Sequence, residues 1–277
     1  GIRDYKVTGV QTCALPIYLT VTAGTNITQS GTVSVANLSV FNATGDSIIL
    51  DSANDLNSVA LVATEASVTD TSDIVLSTAT IDNNLTVTAG TNITQSGAIS
   101  VANLSVFNAT GDSVVLDSNN QFSSVGLIAA QASVTDTNDI ALSTSTVSSN
   151  LTVTAGTNIT QSGTVSVANL SVFNATGDSV VLDSENTFGS VSLIATEASV
   201  TDTNDIVLST STVSSNLTVT AGTNITQSGA VSVANLSVFN ATGDSIILDS
   251  ANDLNSVALI ANDASVDRKS TRLHSSH

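Results

Sequence analysis

Aspartates are the side chains in this sequence that could most readily do chemistry, and they recur at fixed spacing. Asp46 and Asp51 return with their neighbours every 66 residues, and Asp70 and Asp73 return twice. Paired carboxylates can act as acid and base in the cleavage of a sugar chain, and carboxylate oxygens are also ligands for calcium. These residues therefore raise two chemical hypotheses, a polysaccharide-active enzyme and a calcium-dependent extracellular array.

The rest of the chain does not favour either chemistry. Residues 18–266 contain 21 acidic residues and no Lys, Arg, His or Cys. Copies of one aspartate would lie about 14 Å apart in the fold predicted below, too far to share an ion. We therefore expect no catalytic residue, no cofactor and no metal site, and interpret the aspartates as turn residues and solubilising charge.

The elements that position these aspartates belong to a long repeat. LTVTAGTNITQSG occupies residues 19–31 and returns unchanged every 66 residues, and ANLSVFNATGDS keeps the same register from Ala36. A fixed period of this length is the signature of a repeat architecture. The copies span residues 19–84, 85–150, 151–216 and, incompletely, 217–266.

Within each copy, apolar and polar residues alternate. Leu19, Val21 and Ala23 fall on one side of a strand, and Gly-Thr, Ser-Gly and Gly-Asp pairs mark turns. Segments 19–37 and 66–84 align with each other, and the middle segment has about nine extra residues. This layout predicts an all-β, right-handed parallel β-helix with about three coils per repeat. A string of small β-sandwich domains is the alternative, which the absence of Trp disfavours.

The middle segment contains the part of the repeat that varies most. Strict alternation predicts that Leu38 and Val40 point into the lumen, and that Phe41 and Ile49 point outward. Residues 53–57 change between copies from ANDLN to NNQFS and ENTFG, but always keep one apolar residue. We expect that residue to fold over the outer face and shield Phe41. Its variation is interpreted as drift in an unconstrained loop, and partner contact is the alternative. The residues of that candidate partner-contact loop are Asp55, Leu56, Gln121, Phe122, Thr187, Phe188, Asp253 and Leu254.

Both ends of the chain depart from the repeat. Residues 7–17 read VTGVQTCALPI and residues 267–277 read DRKSTRLHSSH. Read in opposite directions, the two strings can be encoded by reverse-complementary codons at all eleven positions. Both resemble translations of a sequencing-library adapter. We therefore expect residues 1–17 and 267–277 to be adapter-derived, and residues 18–266 to form a single β-helix repeat domain.

The sequence of residues 18–266 resembles a known class of repeat. Its sequence pattern, NLTVTAGTNITQSG followed by VSVANLSVFNATGDSIILDS, is similar to the repeat regions of filamentous-haemagglutinin-like and autotransporter adhesins of bacteria. This resemblance implies a non-catalytic stalk of a secreted or outer-membrane-associated exoprotein. A glycan or protein on a host or neighbouring cell is the expected partner. The acidic surface argues against nucleic acid as a partner and against membrane insertion of this segment.

Overall fold

The chain forms a β-solenoid. A computed structural model describes residues 17–268, and every regular element in that range is a β-strand. Each strand pairs in parallel with strands of neighbouring coils; Leu85, for example, pairs with Ala66 of the preceding coil and with Ser105 of the following one. The prediction of an all-β parallel β-helix is therefore confirmed.

The strands follow the repeat, and the middle of each copy is one long strand that runs around more than one coil. The first copy contains β1 (Leu19–Thr22), β2 (Ile27–Thr28), β3 (Ser34–Asp70) and β4 (Ile74–Ile81). The second contains β5 (Leu85–Thr88), β6 (Ile93–Gln95), β7 (Ile99–Asp136), β8 (Ile140–Leu142) and β9 (Ser145–Val147). The third contains β10 (Leu151–Ala155), β11 (Ile159–Gln161), β12 (Val165–Asp202), β13 (Ile206–Leu208) and β14 (Ser211–Val213). The fourth contains β15 (Leu217–Ala221), β16 (Ile225–Gln227) and β17 (Val231–Arg268).

Alternation along each strand decides which side chains fill the lumen. In β10, Leu151, Val153 and Ala155 are buried, whereas the threonines between them reach the surface. Val153 pairs with Val134 on one side and with Phe173 on the other, so apolar side chains stack from coil to coil. Burial of each such large side chain contributes about 1.5–3 kcal/mol, which makes this stack the main source of stability.

The register of residues 38–43 differs from the prediction. Val21 pairs with Phe41, so the Phe41 ring enters the lumen and is only 2 % exposed. The prediction that Leu38 and Val40 point inward and Phe41 outward is therefore wrong. The predicted and the observed arrangement both alternate with a period of two. A shift of one residue in the pairing exchanges the side chains that face the lumen with those that face outward. Burial of the larger aromatic surface decides between them. The outward position of Ile49 is confirmed, since its side chain is 42 % exposed.

The variable segment is not a loop. Residues 53–57 lie inside β3, and their copies lie inside β7, β12 and β17. The apolar residue of the segment points into the lumen, where Phe122 packs edge-on against Phe107 with ring centroids 5.7 Å apart. The prediction that this residue covers the aromatic from outside is therefore wrong, because the two side chains meet inside.

Successive copies are rotated by about half a turn around the axis. Backbone pairing places the following inward residues in one column: Val33, Asn54, Asp70, Ala89, Ala109, Ala129, Val147 and Val167. Seven coils therefore take up almost the length of two repeats, and one repeat makes about three and a half coils. The prediction of about three coils per repeat is confirmed, and the additional half-turn places neighbouring copies on opposite sides of the rod.

The terminal strings fall mostly outside this description. Residues 1–16 and 269–277 lie outside the described residues, so the adapter interpretation stays a prediction there. Asp267 is described, and its backbone oxygen accepts a hydrogen bond from Asn252 Nδ2 at 3.1 Å. Thr69 accepts the equivalent bond from Asn54 in the first copy. The coil register thus continues at least to Asp267.

Candidate functional site

The predicted partner-contact segment is divided between the surface and the lumen. Four of its members are exposed, namely Asp55, Gln121, Thr187 and Asp253. The other four are buried, namely Leu56, Phe122, Phe188 and Leu254. Buried side chains cannot meet a partner, so partner contact by these four disagrees with the structure. The hypothesis narrows to the exposed members, for which it stays a prediction.

A pair of amide side chains occupies one corner of the lumen in every copy. In the second copy, Gln95 Nε2 donates to Asn120 Oδ1 at 2.8 Å, and Asn120 Nδ2 donates to Gln95 Oε1 at 2.9 Å. Asn120 Nδ2 also lies within hydrogen-bond distance of the backbone oxygens of Leu116 and Thr135, and Asn120 Oδ1 accepts from the Ile99 N–H. We call this pair the amide staple. Its copies are Gln29–Asn54, Gln95–Asn120, Gln161–Asn186 and Gln227–Asn252.

The amide staple connects three successive coils. Asn120 is fully buried, and it bonds Gln95 of the coil before it and Thr135 of the coil after it. A buried amide is costly unless its hydrogen bonds are made, and here the bonding groups of Asn120 are engaged within the protein. The staple therefore has no free group for a ligand, and it fixes the register of the coils.

Sequence reasoning did not find the staple, although a signal was present. Asn54 is the one residue that stays constant within the otherwise variable segment 53–57, recurring as Asn120, Asn186 and Asn252. A constant polar residue among varying neighbours is typical of a buried, hydrogen-bonded position. The alternation of apolar residues did not point to Asn54, because an amide side chain is polar and is not part of that pattern.

A buried aspartate closes the same corner. In the second copy, Asp136 Oδ2 accepts a hydrogen bond from the Phe122 N–H, and Oδ1 accepts from the Asn138 N–H at 2.8 Å. Asp202 makes the equivalent two bonds in the third copy. Burial raises the pKa of Asp136 and Asp202, because the loss of hydration outweighs the stabilisation of the carboxylate by the backbone donors.

A second column of aspartates lies on the outer surface. Asp139 Oδ1 accepts hydrogen bonds from Thr157 Oγ1 at 2.5 Å, from the Asn158 N–H at 3.0 Å and from Asn158 Nδ2 at 2.9 Å. These bonds, with the Thr157 hydroxyl the strongest, lower the pKa of Asp139. The pKa values of Asp73 and Asp205 are lowered by the equivalent threonine and asparagine. Asp136 and Asp139 are three residues apart, yet their pKa values move in opposite directions.

One buried hydroxyl per copy has no hydrogen bond. Within the described residues, the buried Oγ atoms without a partner are those of Ser39, Ser105, Ser171 and Ser237. Each of these serines is fully buried beside a leucine of the preceding coil, as Ser105 is beside Leu85. An unpaired buried hydroxyl is destabilising. In each copy this serine lies two residues before the lumen phenylalanine of the same strand.

Shallow grooves mark the outer surface at one position in three copies. In the first copy the groove has a volume of about 310 Å³, and the residues that line it include Ile49, Glu65, Ser67 and Thr86. Equivalent grooves of about 360 Å³ and 260 Å³ occur in the second and third copies. We call this feature the repeated groove. Another groove of about 300 Å³ lies next to Gln121 in the second copy, and includes Asp136 and Asp139.

Of the aspartates that raised the chemical hypotheses, Asp51 and its three copies accept hydrogen bonds from serines within the protein. Asp51 accepts a hydrogen bond from Ser67 Oγ at 2.5 Å, and Asp117 accepts one from Ser133 at 2.6 Å. Among residues 17–268, no three His, Cys, Asp or Glu side chains are grouped so that they could hold a metal ion. In the same range, no helix is long and apolar enough to cross a membrane. The enzyme and calcium hypotheses stay untested by these observations.

Comparison with known proteins agrees with the repeat architecture. A family model described as repeats of unknown function (DUF5649) matches residues 14–63, 63–129, 129–195 and 195–261. The last three matches advance by the same 66 residues that separate the copies in the sequence. No curated protein and no solved structure matches the chain.

Proposed function

The chain belongs to the family of repeats of unknown function (DUF5649), and we propose that this structural β-solenoid is a rigid spacer in the stalk of a bacterial exoprotein. In this proposal the exoprotein is secreted or anchored at the cell surface and resembles filamentous-haemagglutinin-like or autotransporter adhesins. The repeat domain carries out no reaction. It holds an adhesive or sensing part of the molecule at a set distance from the cell.

The observation that carries this proposal is the amide staple. The same glutamine–asparagine pair links neighbouring coils in all four copies, at nearly the same distances. Because each staple bonds across three coils, bending at that corner would break several buried hydrogen bonds at once. A rod that is pinned once per repeat resists bending along its whole length, which is what a spacer requires.

The proposal is tested by changing the length of the rod. Removal of residues 85–216 deletes two whole repeats and rejoins equivalent positions, so the coil register is kept. We expect the rod to shorten by about 34 Å, the height of seven coils at about 4.8 Å each. Small-angle scattering of the purified chains measures this length.

A second measurement tests the spacer role in a cell. The chain is placed between an outer-membrane anchor and an epitope tag, and the distance of the tag from the membrane is measured by energy transfer. A spacer predicts that the distance falls with the two-repeat deletion by the same amount as the scattering length. A distance that does not change with repeat number contradicts the proposal.

A further inference from the structure

The repeated groove is the feature of the outer surface that best fits a partner. Its volume of about 260–360 Å³ lies around the lower limit of about 300 Å³ for ligand sites. One edge is apolar, formed in the first copy by Ile49, which is 42 % exposed, and in the third copy by Val181, which is 38 % exposed. These two are among the most exposed large apolar side chains of the repeat body.

The groove also carries negative charge. Glu65 and Asp51 line it in the first copy, and Glu197 lines it in the third. The Glu65 carboxylate accepts hydrogen bonds from Asn83 and Asn84, which hold it in place beside the groove. An apolar edge next to a fixed carboxylate matches a side chain that has an aliphatic stem and a cationic end, as Lys and Arg do.

The charge of the repeat body disfavours three other occupants. Residues 18–266 contain 21 acidic residues and no basic ones, so the repeat body of a second copy is repelled and has no Lys or Arg to offer. Nucleic acids and anionic membranes are repelled for the same reason. We propose that the repeated groove receives a Lys or Arg side chain of a basic polypeptide partner. This proposal concerns the outer surface only, and it holds whether or not the rod acts as a spacer.

The half-turn between copies sets how the partner is presented. The grooves of the first and third copies lie on the same side of the rod, about 34 Å apart. The groove of the second copy lies on the opposite side and has Gln131 in place of the glutamate. The two grooves with a glutamate therefore share one face, and the second copy is a natural version of the groove with glutamine in place of that glutamate.

Gln131 of the second copy suggests a substitution that should keep the fold, because glutamine already occupies this position there. Glu65→Gln combined with Glu197→Gln gives both charged grooves the amide found in the second copy. The matched control is Glu185→Asn with Asp253→Gln, which removes the same charge outside the groove and introduces residues found at the equivalent positions, Asn119 and Gln121. The probe is a synthetic peptide of alternating lysine and serine, with a glutamine–serine peptide as its uncharged counterpart.

Binding is measured by fluorescence anisotropy at physiological ionic strength, where long-range attraction is screened. We expect the groove variant to bind the lysine peptide about tenfold more weakly than the native chain, from the loss of two ion pairs. The control should bind within about threefold of the native chain, and the glutamine peptide should bind none of the three. Carbodiimide cross-linking should join peptide lysines to Glu65 and Glu197 in preference to Glu185.

Two results would overturn the proposal. If the groove variant and the control weaken binding equally, the attraction is a property of total charge and the groove is not a site. If the control weakens binding more, the partner contacts the segment around Glu185 and Asp253 instead. Neither result bears on rod length, so the spacer proposal is tested separately.

Discussion

The inner corner and the outer groove use the same kinds of polar residue for different purposes. At the inner corner, Asn120 is fully buried and bonds to two neighbouring coils, and its type is the same in every copy. At the groove, position 65 is Glu, and its copies are Gln131, Glu197 and Asp263. A polar group costs free energy when it is buried without partners, and little when water can reach it. Burial therefore separates two groups of polar residues. The buried ones stabilise the rod and stay constant, whereas the exposed ones can vary and are available for binding.

The largest effect on stability is expected when an amide staple at the inner corner is removed. Asn120→Leu removes two hydrogen bonds from Gln95 and leaves the buried Ile99 N–H without its acceptor. The backbone oxygens of Leu116 and Thr135 lose their amide donor as well. We expect a loss of about 3–5 kcal/mol in the free energy of unfolding, because several buried groups lose their hydrogen bonds together. Urea unfolding followed by circular dichroism measures it.

The neighbouring residue supplies the control. Asn119 is exposed, and its equivalent in the first copy is Ala53, so Asn119→Ala should change the stability by less than about 0.5 kcal/mol. Equal effects of the two substitutions would show that the staple does not contribute to the stability of the rod.

The two aspartates of the second copy offer a comparison by pH. At neutral pH, Asp136→Asn should cost about 2 kcal/mol, because an amide cannot accept from both the Phe122 and Asn138 N–H groups. The pKa of Asp136 is raised, so the native chain should gain stability relative to this variant as the pH falls through that pKa towards 3.8, the ordinary value.

Asp139 should behave in the opposite way. Its pKa is lowered, so the stabilisation by the ionised form is present above the ordinary pKa of 3.8 and is lost as the pH falls through the lower value. The advantage of the native chain over Asp139→Asn should therefore shrink on acidification. Urea unfolding at a series of acidic pH values tests both signs, and slopes of the same sign would contradict the assignment.

A smaller effect is expected at the unpaired hydroxyl. Ser105→Ala removes a buried polar group that has no hydrogen bond and leaves the packing nearly unchanged. We expect a gain of up to about 1 kcal/mol in the free energy of unfolding. Ser123→Ala, at an exposed position, should have no measurable effect. A loss of stability in Ser105→Ala would show that the hydroxyl makes a bond in solution.

The smallest effect concerns calcium. The carboxylates of the rod are spread along the surface, and Asp51 and Asp139 are already bonded to hydroxyls of the next coil. We expect calcium to change the melting temperature no more than magnesium does at equal ionic strength, by screening alone. A large increase that is specific to calcium would support the calcium-dependent array instead.

The sequence predicted the architecture because the repeat and the alternation are both visible in it. It did not predict the phase of residues 38–43, since Leu38–Val40 and Phe41–Ala43 offer two alternating patterns of opposite parity. Phe41 pairs with Val21, and burial of its ring decides between the two patterns. Which residues pair depends on coil length, and coil length varies, since Val33 and Asn54 are 21 residues apart whereas Asn54 and Asp70 are 16 apart.

The outer groove could not be predicted for a related reason. Ile49 was correctly placed outward, but Thr86 and Glu65 meet it only when three coils are stacked in register. The Asn54 amide lacks any apolar signal, and only its constancy within a varying segment pointed to it. Sites formed by neighbouring coils thus depend on how the coils are aligned. The residue pattern of one strand does not reveal that alignment.

The half-turn between copies also has a consequence for how such genes change. Near-identical repeats favour unequal recombination, which adds or removes whole copies at once. An odd number of copies gained or lost would turn everything beyond the junction to face the other way, whereas an even number would restore the original facing. Each copy gained or lost would then change two properties of the rod. Its length would change by about 17 Å, and the end of the rod would turn to face the opposite side.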